Sequence, residues 1–451
     1  MRTILERMSP ARRIFVSFAL VIFVGSLLLS LPWVQVHTST AHYIDHLFTA
    51  VSMVCVTGLF THAVADTYNI WGQLICMLLI QIGGLGLITF IGLLYVRSKQ
   101  RLNFANRTTL QESLSRDDST SMRDFIRAIF LITFSIEALG AFLLSFRFVP
   151  LMGWGRGLFT SAFLAVSAFC NAGFDNFGAN SLMNYQTDYL VNLTIAALII
   201  MGGLGFSVWF DLKTNIHPKG RCRRLRFHTK LVLFLTIGIL AGGTLLTFLT
   251  EYNNPNTIGN LPLGEKILVS FFQCVSMRTA GFATMDYTQA KPVTLLLYIL
   301  QMFLGGAPGG TAGGLKITTW VVVTAFARSE MLGLPHTNFF HRTIPTSTIQ
   351  KSYSVLIIFS TTYLLGATIL SMVDAEAHRF IYLLFEAMSA LATVGVTANL
   401  TPSLNLAGLI IIMLLMFIGR IGPLTMLVSL SDRKPSRKDI LVYSKANILV
   451  G

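Results

Sequence analysis

Four short glycine-containing loops recur along the sequence, and their backbone carbonyls could bind a cation that has lost its water. Their glycines, Gly58, Gly173, Gly281 and Gly395, lie 115, 108 and 114 residues apart. Each glycine ends an uncharged triplet: Val56-Thr57-Gly58, Asn171-Ala172-Gly173, Thr279-Ala280-Gly281 and Thr393-Val394-Gly395. Glycine allows the left-handed or strained backbone needed where loops approach closely. Carbonyls from such loops, with the hydroxyls of Thr57, Thr279 and Thr393, would replace the hydration shell of a monovalent cation.

Each loop follows an apolar segment that is too short to cross a bilayer. These segments cover 45–57, 157–170, 265–278 and 379–392, whereas a membrane-spanning helix needs about 20 residues. We therefore interpret them as re-entrant pore helices. A helix carries partial negative charge at its C-terminal end, so four such ends aimed at one axis would attract cations and repel anions.

Further positions recur with the same period. A phenylalanine stands ten residues before each glycine, at Phe48, Phe163, Phe271 and Phe385. A serine stands six residues before in three cases and five before in the third, at Ser52, Ser167, Ser389 and Ser276. A second glycine follows in the next apolar run, 24 to 29 residues on, at Gly83, Gly202, Gly305 and Gly419. A single glycine loop could simply end a helix, but four in register indicate a repeat.

The repeating unit is an outer helix, a re-entrant pore helix with its loop, and an inner helix. The units predicted are 1–98, 99–212, 213–330 with an intramembrane loop, and 331–451 with a C-terminal tail. Four half-crossing loops can surround one axis only if the units form a pseudo-fourfold ring. The predicted fold is an all-α polytopic membrane protein with eight transmembrane helices around one central pore.

Composition supports this fold class. Of the 451 residues, 53% are hydrophobic and only 12% are charged, about half the roughly 25% charged residues of average soluble chains. Hydropathy predicts eight long apolar segments at 14–34, 70–96, 127–150, 188–210, 230–250, 292–315, 350–373 and 404–429.

The distribution of basic residues predicts the orientation. Of the 34 Lys and Arg residues, 27 lie before the first span, in 97–127, 213–230 and 316–351, and after 430. Because Lys and Arg in short loops stay cytoplasmic, both termini are expected in the cytoplasm. The net charge of +14 is thus spread between apolar runs and does not indicate a nucleic-acid partner. The acidic residues of the outer loops could form a vestibule that gathers cations or could be ordinary solvated loop charges.

Other chemistry is not favoured. The five cysteines form no CxxC pair, so neither a disulfide framework nor a zinc site is predicted. No phosphate-binding glycine motif follows a strand, and no cofactor is expected in this chain. The intramembrane ionisable residues Glu137, Arg278, Glu386 and Arg420 make no catalytic set, which argues against a membrane enzyme; Arg278 and Glu386 could pair behind the glycine loops.

The third inner segment departs from a regular helix. Six glycines and one proline occur in Gly305-Gly306-Ala307-Pro308-Gly309-Gly310-Thr311-Ala312-Gly313-Gly314. Irregular backbone at membrane depth is tolerated where it lines a cavity, and a broken helix there is typical of a permeation site or gate. A flexible kink in a packed helix is the alternative. Lys316 follows this loop and is expected to extend to the cytoplasm or to contact a regulatory partner.

Taken together, these residues resemble the Trk/Ktr/HKT superfamily of potassium transporters, most closely its bacterial KtrB type of membrane subunit. The resemblance rests on the four loops, on Gly83-Gly84-Leu85-Gly86 and Gly202-Gly203-Leu204-Gly205, on Gly305 to Lys316, and on the stretch from Ile418 to Thr425. It implies potassium uptake through a filter lined by the four glycines. It also implies that the 305–314 loop blocks the pore until it moves and that Arg420 lies beside it; pairing of Arg420 with a buried carboxylate is the alternative.

The resemblance further implies a homodimer in the lipid of a bacterial cytoplasmic membrane, carrying a cytosolic ring of nucleotide-binding KtrA-like subunits. The basic segments 97–127 and 213–230, together with residues near 316–345, are the predicted docking surfaces. Sodium as an activator is also implied, although no separate sodium site is evident in the sequence. The alternatives are a TrkH-type transporter; a sodium-selective relative, against which Gly58 argues; and a secondary carrier, for which inverted repeats would be expected.

Overall fold

The protein is almost entirely helical in a computed structural model, which describes residues 9–86, 122–178, 180–215, 225–374, 380–423 and 425–426. Its helices are Pro10–Leu29, Tyr43–Val54, Val64–Thr67, Ile70–Leu85, Met122–Met152, Trp154–Cys170, Tyr189–Gly203, Phe206–Asn215, Phe227–Glu251, Leu263–Ser276, Pro292–Phe303, Ile317–Met331, Thr346–Asp374, Phe380–Leu391 and Leu406–Ile421. Short 3₁₀ turns occupy Pro32–Val34, Met183–Tyr185, Tyr287–Gln289 and Thr401–Ser403. One two-stranded antiparallel hairpin, Asn338–Phe339 with Arg342–Thr343, lies in this part of the chain.

Four helices are long and apolar enough to cross a membrane, and we call them the outer helices: Pro10–Leu29, Met122–Met152, Phe227–Glu251 and Thr346–Asp374. Large apolar side chains on their surfaces stay exposed, among them Phe23, Phe142 and Leu364 at 56%, 59% and 60%. Helices that present apolar groups outward are suited to lipid. The predicted all-α polytopic membrane architecture is thereby confirmed.

The four pore helices are Tyr43–Val54, Trp154–Cys170, Leu263–Ser276 and Phe380–Leu391. Each packs against an outer helix and an inner helix. Their C-terminal residues are buried: Val54, Cys170, Ser276 and Leu391 each have at most 1% exposure. The apolar segments identified in the sequence therefore form short helices that end inside the protein, directly before the glycine loops.

The inner segments differ from the continuous spans that hydropathy predicts. Their helices, which we call the inner helices, cover only Ile70–Leu85, Tyr189–Gly203, Pro292–Phe303 and Leu406–Ile421. With a rise of about 1.5 Å per residue, the longest reaches roughly 24 Å, short of the roughly 30 Å hydrocarbon core. The second continues into Phe206–Asn215 after a 92° bend. The continuation of the first, residues 87–96, lies outside the described residues.

Glycine conformation accounts for three of these breaks. The first, second and fourth inner helices are followed at their breaks by Gly86, Gly205 and Gly422, whose φ angles are 79°, 90° and 93°. Left-handed backbone ends an α-helix and is easily adopted only by glycine. Each of these residues stands three positions after one of the recurring second glycines.

The second glycines bring the inner helices against the pore helices. A β-carbon added to Gly83, Gly202 or Gly419 would overlap a carbonyl oxygen, that of Val54, Phe169 or Leu391 respectively. These carbonyls belong to the residues four positions before Gly58, Gly173 and Gly395. The sequence period therefore marks one repeated helix–helix contact.

The third inner helix lacks this contact. A β-carbon on Gly305 would meet the carbonyl of Gly313 and the backbone of Gly314, both within its own loop. The glycine recurs in sequence, but here it allows the loop to fold onto itself.

The borders predicted between the repeats can be compared with the helices. The border 98/99 lies outside the described residues, while 212/213 and 330/331 fall within the helices Phe206–Asn215 and Ile317–Met331. The division into four units stays a prediction.

Replacing Gly419 by alanine should lower thermal stability, because the added methyl group must displace the Leu391 carbonyl. Overpacking of this kind costs about 1–3 kcal/mol. The matched control is Gly238→Ala in the third outer helix, where no atom lies within 4 Å of an added β-carbon; removing a helical glycine there should stabilise by about 0.5–1 kcal/mol. Thermal unfolding of the detergent-solubilised protein measures both, and equal effects would contradict the packing role of Gly419.

Candidate functional site

The four glycine loops share an unusual backbone. Left-handed φ angles occur at the four glycines, Gly58, Gly173, Gly281 and Gly395, at 109°, 71°, 82° and 91°. They occur again two residues earlier, at Val56, Asn171, Thr279 and Thr393, at 56°, 59°, 68° and 52°. Non-glycine residues rarely adopt such angles, and their recurrence at one position in all four loops indicates a shared constraint.

That constraint is the close approach of the loops to one another. A β-carbon on Gly58 would lie 2.8 Å from the carbonyl oxygen of Ala172. The same contact recurs from Gly173 to Ala280 and from Gly281 to Val394, each at 2.7 Å, and from Gly395 to Thr57. The last contact returns to the first loop, so the four loops form a closed ring. In each case the glycine of one loop contacts the carbonyl of the residue directly before the glycine of the next loop.

The recurring serines hold these loops to their pore helices. Ser52 and Ser389 accept hydrogen bonds from the amides of Gly58 and Gly395, each at 3.1 Å. Ser167 accepts from the amide of Phe174 at 2.9 Å. Buried backbone groups need such partners, so the serine spacing seen in the sequence reflects anchoring of the loops.

The third pore helix is shifted by one residue relative to the others. Ser276 donates to the carbonyl of Phe282 at 2.5 Å, and the fully buried phenylalanine is Phe272, whereas Phe271 is only partly buried. In all four pore helices the buried phenylalanine then precedes the serine by four residues, which places both on one helix face. The alignment on Phe271 is thus off by one position.

Unused oxygen atoms are present at the ring. The hydroxyls of Thr57 and Thr393 are fully buried and have no hydrogen-bond partner, while the Thr279 hydroxyl accepts from the amide of Gly313 at 3.2 Å. Buried hydroxyls are normally paired. Together with the ring carbonyls, these oxygens can ligate a cation without burial of a formal negative charge.

The segment Gly305–Gly314 is a loop whose two ends are held together. Gly305 donates to the carbonyl of Leu315 at 2.9 Å, and Ile317 donates to that of Gly306 at 3.2 Å. The Thr311 hydroxyl donates to the carbonyl of Phe169, at the end of the second pore helix, at 3.1 Å. With the Gly313–Thr279 bond, these contacts place the loop directly against the glycine loops.

Arg420 connects this loop to the first inner helix. Its guanidinium donates to the carbonyl of Thr311 at 2.5 Å and to those of Gly83 and Gly84, the latter at 3.3 Å. These partners are carbonyls, which disfavours the alternative of pairing with a buried carboxylate. Lys316 turns back and donates to the carbonyl of Ala312 at 2.7 Å, so the expectation that it extends to the cytoplasm is wrong.

Two other buried ionisable residues have separate partners. Arg278 donates to the hydroxyl of Thr236 at 3.5 Å, while the Glu386 carboxylate accepts a hydrogen bond from Thr401. Arg278 and Glu386 therefore do not pair with each other. The Glu137 carboxylate accepts a hydrogen bond from Gln81 at 3.3 Å. In the sequence, the only sign of this contact is a glutamate inside an apolar segment.

The outer carboxylates take part in local structure. Asp188 caps the second inner helix and pairs with Arg147 at 2.6 Å, and Glu251 accepts from Asn254 and Thr257 at 2.6 and 2.7 Å. Asp175 accepts from the amide of Phe177, and burial raises the pKa of its carboxyl to about 6. These contacts favour local structural roles over a free acidic vestibule.

Comparisons with known proteins agree with this architecture. The TrkH family, described as a cation transport protein, matches residues 11–440. The chain is 39% identical to Ktr system potassium uptake protein B of Bacillus subtilis over 95% of both chains. It is 35% identical to potassium/sodium uptake protein NtpJ of Enterococcus hirae over 99% of this chain and 98% of that one. The crystal structure of the potassium transporter TrkH from Vibrio parahaemolyticus aligns with a TM-score of 0.74 at 16% identity, covering 93% of this chain and 84% of that chain.

Fold and site thus define a polytopic membrane protein of the cation-transporter class. More particularly, the chain belongs to the TrkH family of cation transport proteins. The predicted superfamily is confirmed, and the protein is a transporter and not an enzyme.

Replacement of Ser276 by alanine should destabilise the third glycine loop, because the Phe282 carbonyl loses its buried donor. Leaving a buried polar group unsatisfied costs about 1–3 kcal/mol. Ser270→Ala is the control, since Ser270 lies on the same pore helix, is fully buried and has an unpaired hydroxyl. Thermal unfolding in detergent should show a clear loss for the first variant and little for the second; equal midpoints would exclude the anchoring role.

Proposed function

We propose that this chain is the potassium-translocating membrane subunit of a Ktr-type uptake system. The observation that carries the proposal is the closed ring of glycine–carbonyl contacts. Four loops that meet so closely offer an ion their carbonyl oxygens, and an ion that gives up its water needs such oxygens. The names of the relatives at 35% and 39% identity, both of which mention potassium uptake, support potassium as the substrate.

In this proposal Val56–Gly58, Asn171–Gly173, Thr279–Gly281 and Thr393–Gly395 are the selectivity filter. The pore helices point their C-terminal ends at the filter and favour a cation there through their dipoles. No acidic residue occurs in these loops, so the field comes from backbone groups. Ions then leave as readily as they enter, which conduction requires.

The Gly305–Gly314 loop is proposed as the gate. It lies against the filter through Gly313 and is held by Arg420 and Lys316. Two positive charges at an obstruction in the path add an electrostatic barrier to a cation. A cavity of about 640 Å³, lined in part by Gly310, Lys316 and Arg420, adjoins the loop and gives it space to move.

The surroundings of the subunit follow from the basic residues and the relatives. We place the chain in a bacterial cytoplasmic membrane with both termini in the cytoplasm, because basic loops stay on that side. A homodimer on a ring of nucleotide-binding KtrA-like subunits is the assembly proposed. Of the predicted docking segments, residues 97–121 and 216–224 lie outside the described residues.

Substitution of Gly281 by serine should reduce potassium affinity and selectivity. The side chain would collide with the Val394 carbonyl and distort one quarter of the ring. We expect the apparent affinity for potassium to fall by about tenfold or more, equivalent to about 1.4 kcal/mol. Potassium and rubidium uptake in an uptake-deficient bacterium measures the effect.

Gly153→Ser provides the matched control. Gly153 has a φ of 79°, close to the 82° of Gly281, but no atom lies within 4 Å of an added β-carbon. The control separates backbone strain from collision with the ring. Unchanged potassium affinity in Gly281→Ser, or an equal loss in Gly153→Ser, would contradict the filter assignment.

Sodium transport is the second candidate, since the name of the Enterococcus hirae relative includes sodium. Sodium uptake measured in the same cells decides between the two. A potassium pore transports potassium with little sodium, whereas comparable uptake of both ions would favour the second candidate.

Replacement of Arg420 by glutamine should raise potassium flux several-fold, because the loop loses the charge that holds the Thr311 carbonyl. Lys351→Gln removes the same charge at the same cavity and serves as the control. Flux into proteoliposomes is the measurement.

Deletion of Gly309 to Gly313 should raise potassium flux as well, measured in the same way. An unaltered rate in both Arg420→Gln and the deletion variant would exclude the gate.

A further inference from the structure

A basic and aromatic pocket lies at one end of the third outer helix, away from the glycine ring. Its lining residues are Leu225, Arg226, Phe227, Lys230, Phe234, Phe340 and Arg342, around a cavity of about 760 Å³. Glu251 and Tyr252, at the other end of this helix, contact Lys291 and Lys266 near the starts of the third inner and pore helices. The pocket therefore lies at the opposite membrane boundary.

Three cationic side chains converge on this pocket. Lys230 and Arg342 are exposed, and the Arg226 side chain is 57% exposed. Arg226 is positioned by the buried Asp211, which accepts from the Arg226 amide at 3.0 Å and lies 3.6 Å from its guanidinium. The guanidinium of Arg342 lies 5.6 Å from the Phe227 ring. Among the residues that the structure describes, the three cationic side chains that line the pocket outnumber the one carboxylate that contacts them, Asp211, and the lining is positive.

Exposed aromatic rings lie beside these charges. Phe234, seven residues into the helix from Phe227, is 60% exposed and contacts Phe340, with ring centroids 5.5 Å apart. Seven residues of helix cover roughly 10 Å. The charges would therefore stand at the depth of lipid headgroups and Phe234 near the beginning of the acyl chains.

The hairpin that supplies Phe340 and Arg342 has a strained turn. Phe340 and His341 form its two-residue turn with φ angles of 45° and 59°. Such turns strongly prefer Asn-Gly, and bulky residues at positive φ are strained. Backbone strain of this kind is often retained at ligand-binding positions, and here the Phe340 ring of the turn contacts Phe234.

We propose that this pocket binds the headgroup of an anionic phospholipid, with its phosphate among Arg226, Lys230 and Arg342 and its first acyl carbons on Phe234 and Phe340. Basic pockets at the membrane boundary of spanning helices recognise such headgroups. Arg226 and Lys230 also belong to the predicted docking segment 213–230. A soluble anion or a docked cytosolic subunit would match the charges but would leave unused the Phe234 ring, which lies roughly 10 Å further along the helix. The proposal does not depend on the transport function.

The test measures retained lipid by native mass spectrometry of the full-length protein, titrated with phosphatidylglycerol or phosphatidylcholine. The wild type should bind phosphatidylglycerol more tightly. The double variant Lys230→Gln with Arg342→Gln should lose that preference by about tenfold, equivalent to about 1.4 kcal/mol. Lys213→Gln with Arg328→Gln removes the same charge from exposed sites outside the pocket and should leave it unchanged.

A second variant tests the aromatic part of the pocket and leaves its three cationic residues in place. Phe340→Asn with His341→Gly gives the turn its preferred residues and removes the ring, so the hairpin should be retained while phosphatidylglycerol binding weakens several-fold. Equal lipid binding by wild type and both pocket variants, equal loss in the control, or displacement of bound lipid by millimolar inorganic phosphate would each overturn the proposal.

Discussion

The approach of four backbone segments to within van der Waals distance of one another is the constraint on which the rest of this structure depends. A ring of carbonyls can replace water around an ion only if nothing lies between the loops, and a single β-carbon at any of the four glycines would collide with its neighbour. The left-handed angles two residues before each glycine belong to the same requirement. Such a ring is costly to hold, since each loop gives up regular hydrogen bonding at membrane depth.

The surrounding helices compensate for that loss. The pore-helix serines satisfy loop amides or a loop carbonyl, and the second glycines let the inner helices rest on carbonyls at the pore-helix ends. The breaks at Gly86, Gly205 and Gly422 follow three residues later. One set of small residues thus brings each inner helix close to its pore helix and then redirects the chain.

The third pore helix and the third inner helix depart from this pattern. The second glycine of this inner segment supports the Gly305–Gly314 loop and not a helix–helix contact, and the pore helix is shifted by one residue. Several segments hold this loop: the Thr311 hydroxyl donates to the Phe169 carbonyl of the second pore helix, the Gly313 amide donates to the Thr279 hydroxyl, and Arg420 of the fourth inner helix donates to the Thr311 carbonyl. Because these contacts come from separate elements, the loop can be released without unfolding any single helix, which suits the proposed gate.

The sequence by itself determined the helical membrane class, the four glycine loops and the recurrence of a serine before each loop, because composition and spacing along one chain reveal local backbone requirements. Only the tertiary structure decided which carbonyl faces which glycine, that Phe272 and not Phe271 is buried, and that Lys316 turns back to Ala312. It also decided that the inner helices break at glycine. The ring contacts join segments about a hundred residues apart, and the other features depend on the space that neighbouring segments leave, which the local residue type does not reveal.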